Sequence, residues 1–198
     1  MLIDDSSKNV IAAFSFIDKV KENSIKTVQE LKSLNVKPVL ISGDNKGSVE
    51  KVASELGIEE YYSEVLPDEK SDIIKNLKEK YRTVAMVGDG VNDAPALALS
   101  DVGFAMSTGT DVAMHSAEVT LMRGNPLLIP DAISVSNATY KKIKQNLFWA
   151  FIYNVVGIPL AAIGLLNPMI AGGAMALSSV SVLGNSLLLK RWRAKSGE

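Results

Sequence analysis

The chain has no cysteine. That absence excludes a disulfide framework and every thiolate metal site. His115 is the only histidine. With no cysteine or second histidine beside it, it reads as a surface or packed residue, not as a ligand. An excess of one charge is also lacking: 21 basic and 22 acidic side chains leave a net charge of −1. No broad basic face is available, which argues against nucleic acid as a partner. The 198 residues allow one or two domains with a real core. The mean hydropathy of +0.15 resembles that of an ordinary globular protein.

That average conceals a third absence. From Gln145 to Leu189, a run of 45 residues, there is no charged side chain. The first 144 residues carry 17 basic and 21 acidic groups. The run divides at Asn167-Pro168 into residues 147–166 and 169–189. A bilayer core of about 30 Å takes roughly 20 helical residues, so each half predicts one crossing. Two buried helices of a soluble core are the alternative, but such helices rarely run this long without charge. Lys141, Lys142 and Lys144 precede the run, and Lys190, Arg191, Arg193 and Lys195 follow it. Both basic ends predict a cytoplasmic position for the soluble part and for both termini of an integral protein of the cell or inner membrane. Trp149, Tyr153 and Trp192 lie near the same face, where amphipathic rings favour the lipid interface. The polar, acidic start shows no signal peptide. Pro159 predicts a kink in the first membrane helix.

Inside the run, Tyr153 and Asn154 stand in the first half, and Met175, Ser178, Ser179, Ser181 and Asn185 in the second. Such residues serve as glue between packed helices. They also supply a soft thioether and neutral oxygens for an ion path. Methionine suits Cu(I) or Ag(I), and the lack of a carboxylate argues against Ca²⁺, Na⁺ or Zn²⁺.

The front of the chain alternates in period. Val10–Phe16, Pro38–Ser42, Thr83–Val87, Val102–Met106 and Glu118–Met122 read as strands. Helices are expected over 25–34, over 49–56 with Gly57 as its cap, over Asp68–Lys80 behind Pro67, and near Thr110–Ser116. This alternation implies an α/β architecture with a parallel sheet, which binds ligands at the carboxyl ends of its strands. Met86, Met106, Met114 and Met122 read as core residues. Two strand ends carry acids: Asp44 after PVLISG, and Asp89 after TVAMVG. The second continues as GDGVNDAPAL (88–97), which gathers Asp89, Asn92 and Asp93. Acids converging in a glycine-rich turn suit one Mg²⁺, held by one or two carboxylates, waters and a phosphate. Lys70 can set a positive charge beside that phosphate.

On these residues the chain resembles the C-terminal part of P-type cation-transporting ATPases, in the copper-transporting, heavy-metal branch. SGDN (42–45) is similar to the family's TGDN phosphate-binding segment, with Ser42 for threonine and Gly43 in the turn. LPDEK (66–70) matches the segment whose lysine contacts the phosphoryl group. GDGVNDAPAL matches the hinge and Mg²⁺ motif. The resemblance implies catalytic roles for Asp44, Lys70, Asn92 and Asp93, and Mg²⁺ on Asp89 and Asp93. FIYNVVGIPLAA and MALSSVSVLGNSLLLK are similar to the copper branch's membrane motifs. They imply Cu⁺ contacts at Tyr153, Asn154, Met175 and Ser179.

The fold implied is a partial haloacid-dehalogenase-like phosphorylation domain over 1–125. A connecting helix (126–146), a hairpin (147–189) and a basic tail (190–198) follow. The family's DKTGT sequence, which holds the phosphorylated aspartate, does not occur among these residues. In the family its strand lies between those ending at Asp44 and Asp89. The expected outcomes are a strand supplied by another polypeptide, direct pairing of its two neighbours, or an unstable domain. The chain alone is expected to be inactive, because nothing replaces a covalent nucleophile. ATP, Cu⁺ and a complementary N-terminal ATPase portion enter only with the complete pump. Three origins stay open: a split subunit, a gene remnant and a truncated reading frame. The alternatives in function are a non-enzymatic membrane metal-binding or regulatory protein, and a stand-alone phosphatase using Asp18.

Overall fold

Short apolar strands and amphipathic helices alternate through the first two thirds of the chain, and two long helices complete it. The computed structural model describes residues 2–4, 10–13, 20–107, 110–122, 124–164 and 167–194. Strands β1 (Leu2–Asp4) and β2 (Val10–Ala13) form an antiparallel pair. There follow α1 (Ser24–Ser33), β3 (Val39–Ile41), α2 (Lys46–Leu56), β4 (Glu60–Tyr62) and α3 (Pro67–Lys80). Then come β5 (Ala85–Gly88), α4 (Ala94–Leu99), β6 (Val102–Met106), α5 (Asp111–His115) and β7 (Val119–Leu121). The chain goes on as α6 (Leu128–Ala162) and α7 (Pro168–Leu187).

Local chemistry explains most boundaries. The Asn45 side chain accepts the Ser48 N–H and starts α2; Gly57, at φ 69°, ends it. Pro67 occupies the first turn of α3, while the Glu69 carboxylate accepts the Leu66 N–H. Three elements were not legible from periodicity, the three-residue β1 among them. β4 is only three residues long. α4 lies inside GDGVNDAPAL, where Val91–Asp93 forms a 3-10 turn that leads directly into the helix.

The parallel strands fall into two groups. β3 pairs with β4, and β5-β6-β7 form a second sheet. β6 is central in the second sheet, and Phe104, Ala105 and Met106 are buried on both of its faces. β5 is an end strand of this sheet, with Met86 on a covered face and Val87 39% exposed on the other. β3 and β5 do not pair with each other. Even so, Val39 and Ile41 of β3 pack against the cluster that holds Ile74, Leu77, Val84 and Met86. One core therefore serves two strands that each present an open edge among the described residues. Direct pairing of the two neighbours, one of the expected outcomes, is not what forms.

The connecting helix and the first apolar half are one continuous element. α6 passes through Pro159 and ends within a turn of it. α7 packs back along α6. Lys142 Nζ donates to Asn185 Oδ1 (2.8 Å), Asn185 Nδ2 to Asn146 Oδ1 (2.8 Å), and Asn146 Nδ2 to Ser186 Oγ (2.7 Å). Beyond Leu187, Trp192 Nε1 donates to Ser134 Oγ on α6 (3.3 Å). By length and apolarity one described helix qualifies as a membrane crossing, Ala171–Arg191.

Candidate phosphate and metal site

Two strand ends and one helix start supply the soluble candidates. At the end of β3, Ser42 Oγ donates to Asp44 Oδ2 (2.9 Å), and the Asp44 N–H donates back to Ser42 Oγ (3.2 Å). Gly43 passes close to the Val65 carbonyl; a Cβ there would lie 3.2 Å from that oxygen. Asp44 itself is exposed.

At the end of β5 the GDG turn closes on Asp93. Asp93 Oδ2 accepts the N–H groups of Asp89 (3.3 Å) and Gly90 (3.1 Å). Asp93 Oδ1 accepts from Lys70 Nζ at 2.7 Å, with both side chains mostly buried. The turn demands Gly88, because a Cβ on it would stand 2.6 Å from the Cβ of Asp93. The first turn of α3, set by Pro67 and Glu69, carries Lys70 to this contact. Asn92 is exposed on the 3-10 turn.

Asp89 differs from Asp93. Its carbonyl accepts the Thr110 N–H (2.9 Å), which holds the backbone. Its side chain is 57% exposed and, among the described residues, pairs with Lys21 Nζ at 3.9 Å. Lys21 belongs to no motif, and only the folded chain brings it here. Among the described residues, no ion pair joins the Ser42–Asp44 turn to the Asp89–Asp93 turn.

The donor set suits Mg²⁺. A hard carboxylate, open to water on several sides, is what a cation that keeps most of its waters uses. A closed cage is not built: among the described residues no group of three His, Asp or Glu side chains converges. Both oxygens of Asp93 already accept hydrogen bonds, Oδ1 from Lys70 and Oδ2 from two turn amides, so it has less acceptor capacity to spare than Asp89.

The hairpin candidates separate. Tyr153 OH lies 3.4 Å from Ser181 Oγ inside the seam between α6 and α7. Asn154, Met175 and Ser179 lie on exposed surface, with Met175 at 73%. Asn154 Nδ2 donates to the Ala150 carbonyl (3.0 Å), and Ser179 Oγ to the Met175 carbonyl (3.2 Å). The helix-glue reading therefore holds for Ser181 and Asn185. Sequence reasoning missed Lys142, Asn146 and Ser186, the rest of that seam. His115 is exposed, and Asp18 lies outside the described residues.

A haloacid dehalogenase-like hydrolase model matches residues 3–101. The chain belongs to that family. The resemblance read from the motifs extends over most of its length. It is 54% identical over 176 residues to a copper-exporting P-type ATPase of Staphylococcus saprophyticus, covering 89% of this chain and 22% of that protein. It is 50% identical over 188 residues to "Probable copper-importing P-type ATPase A" of Enterococcus hirae, covering 94% and 26%. The chain thus spans about a quarter of the length of these relatives. The fold is similar to a crystal structure of a zinc-transporting PIB-type ATPase in the E2.Pi state. The TM-score is 0.82 at 32% identity, over 88% of this chain and 29% of that one. A cobalt-bound deoxy-D-mannose-octulosonate 8-phosphate phosphatase from Haemophilus influenzae, at 19% identity and TM-score 0.51, shares the fold alone.

Proposed function

We propose that this chain supplies the Mg²⁺ and phosphate-handling part of the phosphorylation domain, and the last two membrane helices, of a copper-transporting P-type ATPase. The observation that carries this reading is the Lys70–Asp93 pair at 2.7 Å, closed into the GDG turn beside the open edge of β5. A buried lysine held at the carboxyl end of a parallel strand is placed to meet phosphoryl charge. Asp89 would hold Mg²⁺, which supplies charge neutralisation for the phosphate when bound. Ser42 and the Gly43 backbone would take phosphate oxygens, and Asp44 and Asn92 would border the same pocket. Asp93 holds Lys70 and shapes the turn.

The strand bearing the phosphorylated aspartate would add between β3 and β5, whose edges are open among the described residues and whose side chains already share a core. ATP and Cu⁺ are substrate and cargo of the complete assembly, and this chain alone is inactive. In the membrane, 147–166 would cross beside α7. Asn154, Met175 and Ser179, exposed on this hairpin, would turn to helices that it does not contain. The soluble domain and both ends of the hairpin would be cytoplasmic.

Co-reconstitution with a complementary N-terminal ATPase portion tests the reading. Cu⁺-stimulated ATP hydrolysis should appear with both parts, be absent from either alone, and be lost with Asp89→Ala. Absence of activity with every such portion overturns it and leaves the non-enzymatic metal-binding or regulatory reading.

A further inference from the structure

The turn after β5 carries two lysine–carboxylate pairs. Lys70 neutralises Asp93, and Lys21 stands over Asp89. The two pairs differ in kind. Lys70–Asp93 is short, with side-chain exposures of 18% and 12%. Lys21–Asp89 is longer, at 3.9 Å, with exposures of 56% and 57%. The first is part of the turn's framework, and the second is free to open.

The backbone beneath Lys21 is not free. The Lys21 carbonyl accepts the Ser24 N–H (3.2 Å), and Asn23 adopts φ 69°. The Asn23 carbonyl accepts both the N–H (2.8 Å) and the hydroxyl (2.9 Å) of Thr27, which is buried. A hydrogen-bonded turn therefore fixes the root of the side chain, while the side chain itself is exposed to solvent. An ammonium on a pinned root, 3.9 Å from the exposed Asp89 carboxylate, lies where its charge opposes a divalent cation that binds there.

From this geometry we infer that Lys21 is the built-in counter-cation of Asp89, which Mg²⁺ must displace in order to bind. The inference rests on Asp89 being the Mg²⁺ ligand. The displaced ammonium would remain tethered near the turn by its hydrogen-bonded backbone. Lys21 thus raises the Mg²⁺ concentration at which the site fills, and it keeps Asp89 paired until then.

The test uses the full chain in detergent with Mn²⁺ as a spin probe, its binding followed by electron paramagnetic resonance and by competition with Mg²⁺. An exposed ion pair contributes up to about 1 kcal/mol, so Lys21→Met should tighten Mn²⁺ binding about two- to fivefold. Lys21→Arg keeps the pair and should bind as the parent chain does. Lys26→Met removes one exposed charge from α1 away from the pair and should change nothing. In ¹⁵N-lysine spectra, the Lys21 ammonium signal of the parent chain should shift as Mg²⁺ is added. Unchanged affinity in Lys21→Met, or equal tightening in Lys26→Met, overturns the proposal while leaving Asp89 as the ligand. Mn²⁺ binding that survives Asp89→Asn, or no binding by any variant, overturns the Mg²⁺ reading and the proposal together.

Discussion

Lys70 Nζ and Asp93 Oδ1 meet at 2.7 Å, and this contact ties the start of α3 to the turn after β5. Asp93 also accepts two turn N–H groups, so the two partners are not equivalent. Removing a partner of a mostly buried charged hydrogen bond costs about 1–3 kcal/mol. Asp93→Ala should cost about 2–3 kcal/mol, since it orphans the ammonium and two amides. Lys70→Met should cost about 1 kcal/mol, because the amides still serve the carboxylate. Urea unfolding of the full chain in detergent checks the order; a larger loss for Lys70→Met would contradict it.

Gly88 is held to glycine by the Asp93 side chain, not by its backbone angles. Gly88→Ala should destabilise by about 1–3 kcal/mol, as overpacking does, and loosen the Lys70 contact. Pairing it with Asp93→Ala makes the prediction specific. The double variant should lose less than the sum of the singles, because the contacts with Asp93 Cγ (2.9 Å) and Oδ2 (3.0 Å) go with the carboxylate and only the approach to its Cβ remains.

Val87 tests the open edge. It is 39% exposed in the lone chain, so Val87→Lys should change the chain's own stability by no more than about 0.5 kcal/mol. In association with a complementary ATPase portion the same side chain would be covered. There, leaving a lysine unpaired should weaken binding at least about tenfold, or 1.4 kcal/mol. Binding measured with labelled portions would refute the strand-addition reading if Val87→Lys bound normally.

Glu60 sets an acid limit. The Lys37 ammonium at 2.7 Å, then Lys80 at 3.0 Å, holds its carboxyl down at about 2; Tyr81 also donates to it. A carboxyl depressed in the folded state contributes its full stability above its unfolded value of about 4.3 and loses it as pH falls towards 2. The urea midpoint should therefore drop between about pH 5 and pH 2. Glu60→Gln should flatten that part of the profile; an unchanged profile would show that the cluster is not coupled to folding.

The hairpin seam gives a last test. Asn185 accepts from Lys142 and donates to Asn146. Asn185→Leu should weaken the packing of α6 on α7 by about 0.6–2 kcal/mol, the range for hydrogen bonds between membrane helices. Distances between spin labels on the two helices would report it as a broader distribution.

Much of this protein was determined locally. The uncharged run, the helix caps at Asn45 and Gly57, and the strand ends at Asp44 and Asp89 follow from residue type and period, which act over a few positions. So did the place of the SGDN, LPDEK and GDGVNDAPAL motifs. β4 escaped because three residues carry no period. α4 escaped because a glycine-rich motif hides the helix that it starts. Tertiary structure alone decided the rest. Which strand edges stay open depends on pairings between distant segments. Lys21 reaches Asp89 only because the turn before α1 arrives at the carboxyl end of β5. Asp93 became the anchor of Lys70 because the closed turn aims both of its oxygens at donors. Met175 and Ser179 face outward because Ser181 and Asn185 claim the seam. Local sequence states what each segment can form; long-range packing decides which groups meet, and here it decides that Asp93 is engaged by Lys70 while Asp89 stays exposed.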